Sequence, residues 1–384
     1  MRILEVVVRF HPYVGGVENT VLEVGRRLVG RGHEVRVVCA DEPAGGPPRV
    51  DGIDVVRLPW RGKIGNTNVC PGLRAALRSE PRPDVLHSHL PTALFADAAA
   101  GLAAATGVPL VLTYHNDLVG DGLKGVLAGV YNRLFLPRLL ARSRRIVVTN
   151  PIYPSQSPHL TEGDPKLVCI PWGVDADAFR PLSDAPAESS ELVVGFLSLL
   201  DAHHGYKGLD VLLRAAAQLR REGVPVRLKI GGAGEARDNY RRRAAELGVA
   251  DAADFLGFIP AADLSSFYAS CHAFALPSTD GRREGFGLVL LEAMACGRPV
   301  VTTPVVGVAG DLEGSGAGLL VPPGDADALA AALRKLHETR SELPERGRNA
   351  RRLIERRYTW ERVADDYEAL FGALTGSLTT SSSK

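Results

Sequence analysis

The chain has 384 residues, 45% apolar and 23% charged, ordinary globular values that leave room for two domains with cores of their own. Forty-five basic against forty-four acidic side chains give a net charge of +1, which offers nucleic acid no general attraction and confines any basic surface to a local patch. Five scattered cysteines (Cys39, Cys70, Cys169, Cys271, Cys296) have no metal-ligand spacing and read as reduced thiols. With no signal peptide and no membrane-length apolar run, they point to a cytoplasmic protein, soluble or peripheral to the inner face of the membrane.

The first half alternates strands and helices, the pattern of a doubly wound parallel sheet. Ile3–Val8 reads as a strand interrupted by Glu5, Val17–Gly30 as an amphipathic helix and Glu34–Ala40 as the next strand. Between them, Gly15-Gly16-Val17-Glu18 forms a turn at a strand's carboxyl end, where such folds bind ligands; the alternative is a plain turn into the helix. Val55–Leu58 is a short strand, and 61–72 a polar, mobile connection. The strand from Asp84 ends in His87 and His89, and Pro109–Tyr114 ends in His115. Singly, each histidine fits a core or loop position; three at neighbouring strand ends point to a site. The stretch 122–145 reads as helical, with apolar residues such as Val126, Leu127, Val130 and Leu134 beside Lys124, Arg133, Arg138, Arg142, Arg144 and Arg145. Such a helix either lies on an anionic membrane or is an ordinary surface helix with a solvated basic face. Strands at Ile146–Asn150 and Lys166–Ile170 lead to Pro171-Trp172-Gly173-Val174-Asp175.

Residues 181–191, rich in Pro, Ser and Ala, read as a hinge. The second half restarts with a strand at Leu192–Leu197, then His203-His204-Gly205-Tyr206-Lys207-Gly208 and a helix from Leu209. Val226–Ile230 runs into Gly232, Gly234 and Glu235; further strands are expected at Asp254–Ile259, Phe267–Cys271, Ala273–Ser278 and Val300–Thr302. Between the last two lies Glu284-Gly285-Phe286-Gly287-Leu288-Val289-Leu290-Leu291-Glu292, followed by Ala-Met-Ala-Cys-Gly-Arg-Pro-Val-Val. Gly285 and Gly287 let the backbone approach a ligand, and a helix starting there aims free N–H groups at it. That helix is apolar but for Glu292, a buried carboxylate that needs a sugar diol, an amide or an arginine. Asp325–Glu338 and a last stretch from Trp360 read as helices, and 376–384 as a disordered Ser/Thr tail.

Two glutamates with seven residues between them, in this frame, resemble the donor-sugar motif of the family 4 retaining glycosyltransferases. The resemblance extends to Pro171–Asp175, Lys207-Gly208 and Tyr358-Thr359-Trp360-Glu361, and so to nearly the whole chain. It implies the GT-B architecture, two Rossmann-like doubly wound parallel-sheet domains facing a central cleft. The domains would be 1–180, completed by a helix at 361–375, and 192–360. It implies that a hexose passes with retention from a nucleotide-diphosphate sugar, UDP-linked first and GDP-mannose second. The acceptor would be a hydroxyl of a glycan, a lipid-linked glycan or a small metabolite, without a metal or other cofactor. His115, Lys207 and Glu284 would be catalytic. Gly15, Gly16, His203, His204, Gly232, Gly234, Glu235, Phe258, Ile259, Gly285, Phe286, Gly287, Leu288 and Glu292 would bind the donor, and Glu18, His87 and His89 would lie on the acceptor side.

Two departures stand out: Trp172 occupies the family's usual Asn slot, and Leu199 that of an arginine on the pyrophosphate. His203 or His204 is expected to supply the missing donor. If Lys207 lies in an open cleft, its removal is expected to leave folding nearly unchanged. Rival readings are an epimerase or phosphorylase on the same architecture, a non-catalytic nucleotide-sugar binder, and an NAD-dependent oxidoreductase, which lacks its Gly-x-Gly-x-x-Gly fingerprint here.

Overall fold

The computed structural model describes residues 1–120, 122–182, 190–281 and 283–376. Most of the expected hinge and the Ser/Thr tail lie outside the described residues. The chain divides into two units, one of Met1–Trp172 with the segment from Trp360 onward, the other Gly173–Thr359. The first division falls at Trp172 rather than at 180, because the next residues are tied to the second unit. Val174 N–H donates to the Tyr358 carbonyl at 2.8 Å, and Arg351 donates to the carbonyls of Ala176 and Phe179 at 2.8 Å each.

In the first unit the strands are β1 (Arg2–Val6), β2 (Glu34–Ala40), β3 (Arg49–Val50), β4 (Ile53–Leu58), β5 (Lys63–Ile64), β6 (Thr67–Asn68), β7 (Val85–Leu90), β8 (Leu110–Tyr114), β9 (Arg145–Val148) and β10 (Leu167–Cys169). Among the described residues they form a sheet of order β10-β9-β8-β7-β1-β2-β4-β3, parallel but for β3, with β5 and β6 as a separate antiparallel pair. Runs such as Val85–Leu90 and Leu110–Tyr114 are buried throughout because helices cover both faces. Helix Gly16–Gly30 buries Val21, Val24 and Leu28, and the C-terminal helix Trp360–Thr375 is tied to it by Arg27–Glu361 at 2.7 Å.

The second unit has β11 (Leu192–Leu197), β12 (Val226–Gly231), β13 (Ala253–Gly257), β14 (Ala273–Leu276), β15 (Val300–Thr302) and β16 (Gly318–Leu320). Its order is β13-β12-β11-β14-β15-β16, parallel throughout. In both sheets the strand order reverses direction at the first strand, between β1 and β7 and between β11 and β14. Loops leaving the carboxyl ends of such strands diverge and open a crevice.

Three sequence expectations change. The connection 61–72 is no mobile link: it holds β5 and β6, with Thr67 and Asn68 buried and Asn68 Nδ2 donating to Glu42 at 2.8 Å. The stretch 122–145 is not one helix but two, Gly122–Leu134 and Leu136–Arg142, broken ahead of Pro137, with Arg145 already on β9. Phe267–Cys271 is no strand: Phe267, Tyr268 and Ala269 are the buried last residues of the short helix Leu264–Ala269.

Candidate active site

In the second unit, the loops after β11 and β14 bring together residues far apart in sequence. Lys207 ends the short 3₁₀ turn Gly205–Lys207. Thr279 N–H holds that turn by donating to the Tyr206 carbonyl at 2.8 Å. The next residue, Gly208, has φ +85°, and a Cβ there would stand 2.0 Å from the Pro277 carbonyl oxygen, so no other residue fits. The turn delivers Lys207 Nζ to both oxygens of Glu284, 2.9 Å each, while Ser278 Oγ donates to Glu284 Oε2 at 2.5 Å. Glu284 is 1% exposed. Three hydrogen bonds from two donor groups thus compensate a buried carboxylate that would otherwise be costly. Lys207, half-buried, is therefore engaged by the protein itself and does not stand free in an open cleft.

Beyond Glu284 the chain turns through Gly285, which is exposed, and Phe286, whose ring is buried against Tyr358 and Gly307. At Phe286 only the backbone is left to meet a ligand. Gly287, at φ +84°, caps helix Leu288–Ala295, whose first N–H groups form a ready anion site. On that helix Glu292 accepts from Tyr268 Oη at 2.5 Å, and burial outweighs this single bond to push its carboxyl up to about 7.

His203 is exposed, and His204 Nδ1 lies 2.7 Å from Asp201 Oδ1. Asp201 so takes one nitrogen of His204 and leaves Nε2 for any ligand. Sequence reasoning missed Arg283, exposed, whose guanidinium sits 5.4 Å from the Tyr206 ring centroid, with Lys207 Nζ 5.2 Å from the same ring. Its adjacency to Glu284 was the available signal. Gly232 and Gly234 lie with their backbone against that of Ser198 and Leu200, and Glu235 accepts from Ala202 N–H at 3.2 Å. Phe258 is largely exposed, and Ile259 packs over Gly231.

In the first unit the histidines cluster with a residue the sequence offered only as a flaw in a strand. Register pairs Glu5 of β1 with His87 of β7. Glu5 Oε1 lies 2.9 Å from His87 Nδ1 and Oε2 3.4 Å from His89 Nε2; His89 Nδ1 lies 3.1 Å from His115 Nε2. All four side chains are buried. Burial alone would raise the Glu5 carboxyl, but the charge and hydrogen bond of His87, with His89, hold it at about 2. Burial and the neighbouring His87 depress His89 to about 4, and burial with the other two histidines keeps His115 well below the usual imidazole range. Glu5, His87 and His89 are also the one group among the described residues whose ligand atoms lie close enough together, within 4.8 Å, to hold a metal ion. Each of those atoms is already engaged in a hydrogen bond, which accounts for the arrangement by itself.

Trp172, in the family's Asn slot, lies 5.4 Å ring to ring from His115 and so close to Gly16 that a Cβ there would meet it at 2.5 Å. Glu18 folds back over Gly15, with Arg9 Nε 3.7 Å away. Arg9, buried and stacked 4.3 Å over Tyr13, is a second residue that sequence reasoning passed over.

Two parallel α/β units, each gathering its polar groups at the reversal point of its sheet, define the GT-B class. The comparisons with known proteins give the family. The model of "Glycosyl transferases group 1" matches residues 189–353, and that of the "Glycosyl transferase 4-like domain" matches 15–154. The D-inositol 3-phosphate glycosyltransferase of Stackebrandtia nassauensis is 30% identical over 93% of this chain and 86% of its own. The phosphatidyl-myo-inositol mannosyltransferase of Mycolicibacterium smegmatis is 33% identical over 83% of this chain and 80% of its own. Among solved structures, sucrose-phosphate synthase from Thermosynechococcus elongatus superposes with a TM-score of 0.74 at 22% identity, covering 98% of this chain and 99% of its own. HepE of Anabaena, crystallised with UDP, gives 0.73 at 20%, covering 97% and 100%. The chain belongs to the group 1 glycosyltransferases of the GT-B fold and is a glycosyltransferase.

Proposed function

We propose that the enzyme transfers a hexose, with retention of configuration, from a nucleoside-diphosphate sugar to a hydroxyl of a lipid-linked or glycan acceptor. The observation that carries this is Lys207 clamped on Glu284 beside the N-terminus of helix Leu288–Ala295. A cation and a fan of N–H groups there suit the charge that develops on a departing diphosphate. Lys207, Arg283 and the Gly285–Gly287 backbone would neutralise it without requiring a metal. The departing phosphate oxygen would take the acceptor proton at the front face. Glu292, with acceptor capacity left over, would hold the ribose diol. Relatives named mannosyltransferases favour mannose as the hexose, hence GDP-mannose over the UDP-sugar that the motif alone suggests.

A lipid-linked acceptor is favoured by the helix Gly122–Leu134. An ordinary surface helix buries its apolar side, but here Val126, Leu127, Val130 and Leu134 are all exposed, as are the nearby Ile64, Val119 and Phe135. This face borders a cavity of about 740 Å³ lined by Ile64, Val119, Lys124, Leu127, Val130 and Phe135. Phe135 also borders a second cavity of about 580 Å³, lined by Arg74, Arg78, Arg138 and Arg142 with Asp97. An apolar face with basic side chains at one edge suits the surface of an anionic bilayer. Among the described residues no helix is long and apolar enough to cross one.

The test is thermal stabilisation by UDP, GDP, ADP and TDP, then the anomeric configuration of the product formed from the matching sugar nucleotide. An inverted product, or release of free hexose as the only outcome with every acceptor, would sink the reading. For the membrane part, protein should sediment with phosphatidylglycerol vesicles and Val126→Asp/Val130→Asp should not. Equal sedimentation of both, or of neither, removes it.

A further inference from the structure

The buried Glu5–His89–His115 chain contains a decision about protons. An ionised carboxylate has no hydrogen to give, so each imidazole nitrogen facing Glu5 must carry one. For His87 this is Nδ1, 2.9 Å from Oε1; its Nε2 lies 2.8 Å from Thr113 Oγ1, which in turn lies 3.0 Å from Tyr367 Oη. For His89 it is Nε2. A neutral imidazole has a single N–H, so His89 Nδ1 is bare and must accept from His115 Nε2. That spends the only proton of His115. Its Nδ1 is then a bare lone pair, buried and without a hydrogen-bond partner. An orphaned buried acceptor is rare enough to need an explanation. This one stands just beyond the carboxyl end of β8, next to the reversal point of the sheet where α/β units bind ligands.

We infer that Glu5, acting through His89, is a positioning residue that fixes the tautomer of His115 and so presents Nδ1 as an obligate acceptor for a hydroxyl of the bound sugar. The preference is for an O–H donor at that point. A deoxy or fluoro sugar would leave the lone pair unmet, and a site built around a hydrogen bond rejects the analogue that lacks it. The depressed proton affinities of His89 and His115 agree, since both rings stay neutral at physiological pH. Nothing in β1 announces the role, because Glu5 reaches the ligand only by way of two residues more than eighty positions along the chain.

The inference rests on the transferase reading for the nature of the ligand, but its first test needs no ligand. Two-bond ¹H–¹⁵N correlation spectra of the ¹⁵N-histidine-labelled protein at pH 7, with His115 assigned by its loss in His115→Gln, should show Nε2 protonated and Nδ1 bare. A proton on Nδ1, or on both nitrogens, overturns the proposal whatever the enzyme transfers. In Glu5→Gln, the carboxamide can donate to His89 Nε2, so both tautomers should reverse and the Nδ1–H form of His115 appear. Turnover should then fall about tenfold, the size of one neutral hydrogen bond, with affinity for the sugar-free nucleoside diphosphate unchanged. A fall in turnover with the tautomer unmoved would make Glu5 merely structural, and full activity with the tautomer reversed would remove the hydroxyl. If the variant does not fold, the spectrum of the unaltered protein still decides.

Discussion

Glu5 and Glu292 are both glutamates withdrawn into a parallel α/β unit, and their surroundings treat them in opposite ways. Glu5 receives two imidazoles and is held at about 2; Glu292 receives one phenol and rises to about 7. Burial opposes ionisation in both, so the neighbours decide the sign: charge and hydrogen bonds from His87 and His89 at Glu5, one neutral hydrogen bond from Tyr268 at Glu292. A carboxylate whose lone pairs are filled by the protein is committed to architecture, whereas one left short is open to a ligand. Glu284, 1% exposed, has both oxygens engaged by Lys207 and Ser278. A sugar hydroxyl would reach it only through the acceptor capacity that these three hydrogen bonds leave. Of the two motif glutamates, Glu292 is the better placed to receive a ligand unaided.

The largest expected effect breaks the committed end of this scale. Lys207→Ala should lower turnover by about two to three orders of magnitude, as loss of a charge-stabilising donor does. Contrary to the expectation from sequence, it should also destabilise the second unit, by roughly 3–5 kcal/mol, because Glu284 is left buried with Ser278 alone. Adding Glu284→Gln should restore most of the stability and none of the turnover. Denaturant melts of the two single variants and the double variant measure this. A Lys207→Ala protein as stable as the parent would show that the ion pair carries no weight in the fold.

Next in size is the open end. Glu292→Gln should weaken nucleoside-diphosphate binding by about 1.5–3 kcal/mol, the range for a hydrogen bond to a charged group. A ribose diol donates to the ionised carboxylate, so binding should release a proton when the pH lies below about 7. Calorimetric titration in two buffers of different ionisation enthalpy counts that proton. Affinity should strengthen as pH rises from 5.5 to 7 and then level off. Affinity that is flat across this window, or equally steep in Glu292→Gln, would assign the ribose elsewhere.

The contrast between the two glutamates also marks what the sequence could reveal. Alternating strands and helices were legible along most of the chain, with 61–72, 122–145 and Phe267–Cys271 misread, and the Glu284–Glu292 frame pointed to the family, because each is a pattern within a short window. Glu5 was not legible: inside one strand it looks like a surface interruption, and only pairing of β1 with β7 gives it His87. Lys207 and Glu284 were both singled out, but their bond joins residues 77 positions apart. The exposed apolar side of helix Gly122–Leu134 was beyond periodicity, which locates a stripe but not the direction it faces. Trp172 was visible as a departure, and its meaning came only with Gly16 and His115 folded beneath it.

The smallest effect compares the two units directly, through the pH dependence of their stability. His89 is depressed to about 4, so between its ordinary 6.5 and 4 only the unfolded chain takes up the proton, and acidification through that window destabilises the first unit. Glu5, lowered to about 2, adds a loss of the same sign only below its ordinary 4.5. Glu292 is raised to about 7, so between 4.5 and 7 the folded chain holds a proton that the unfolded chain has lost. Acidification through that window adds stability to the second unit at Glu292, against a loss at His272, which burial and Arg340 depress to about 4. From pH 7 to 5 the contributions of His89 and Glu292 are each roughly 2 kcal/mol, with opposite signs. That of His272, half-buried and so partly screened by solvent, has the sign of His89 and is at most as large. Hydrogen exchange of the unligated protein, corrected for the intrinsic rate, reads the two units separately. Protection should fall on acidification across β7 and β8 and stay closer to level across helix Leu288–Ala295, where gain and loss offset. In Glu292→Gln it should fall in both units. A helix Leu288–Ala295 whose protection responds to pH alike in the parent and in Glu292→Gln would mean that Glu292 does not govern the stability of the unit it sits in.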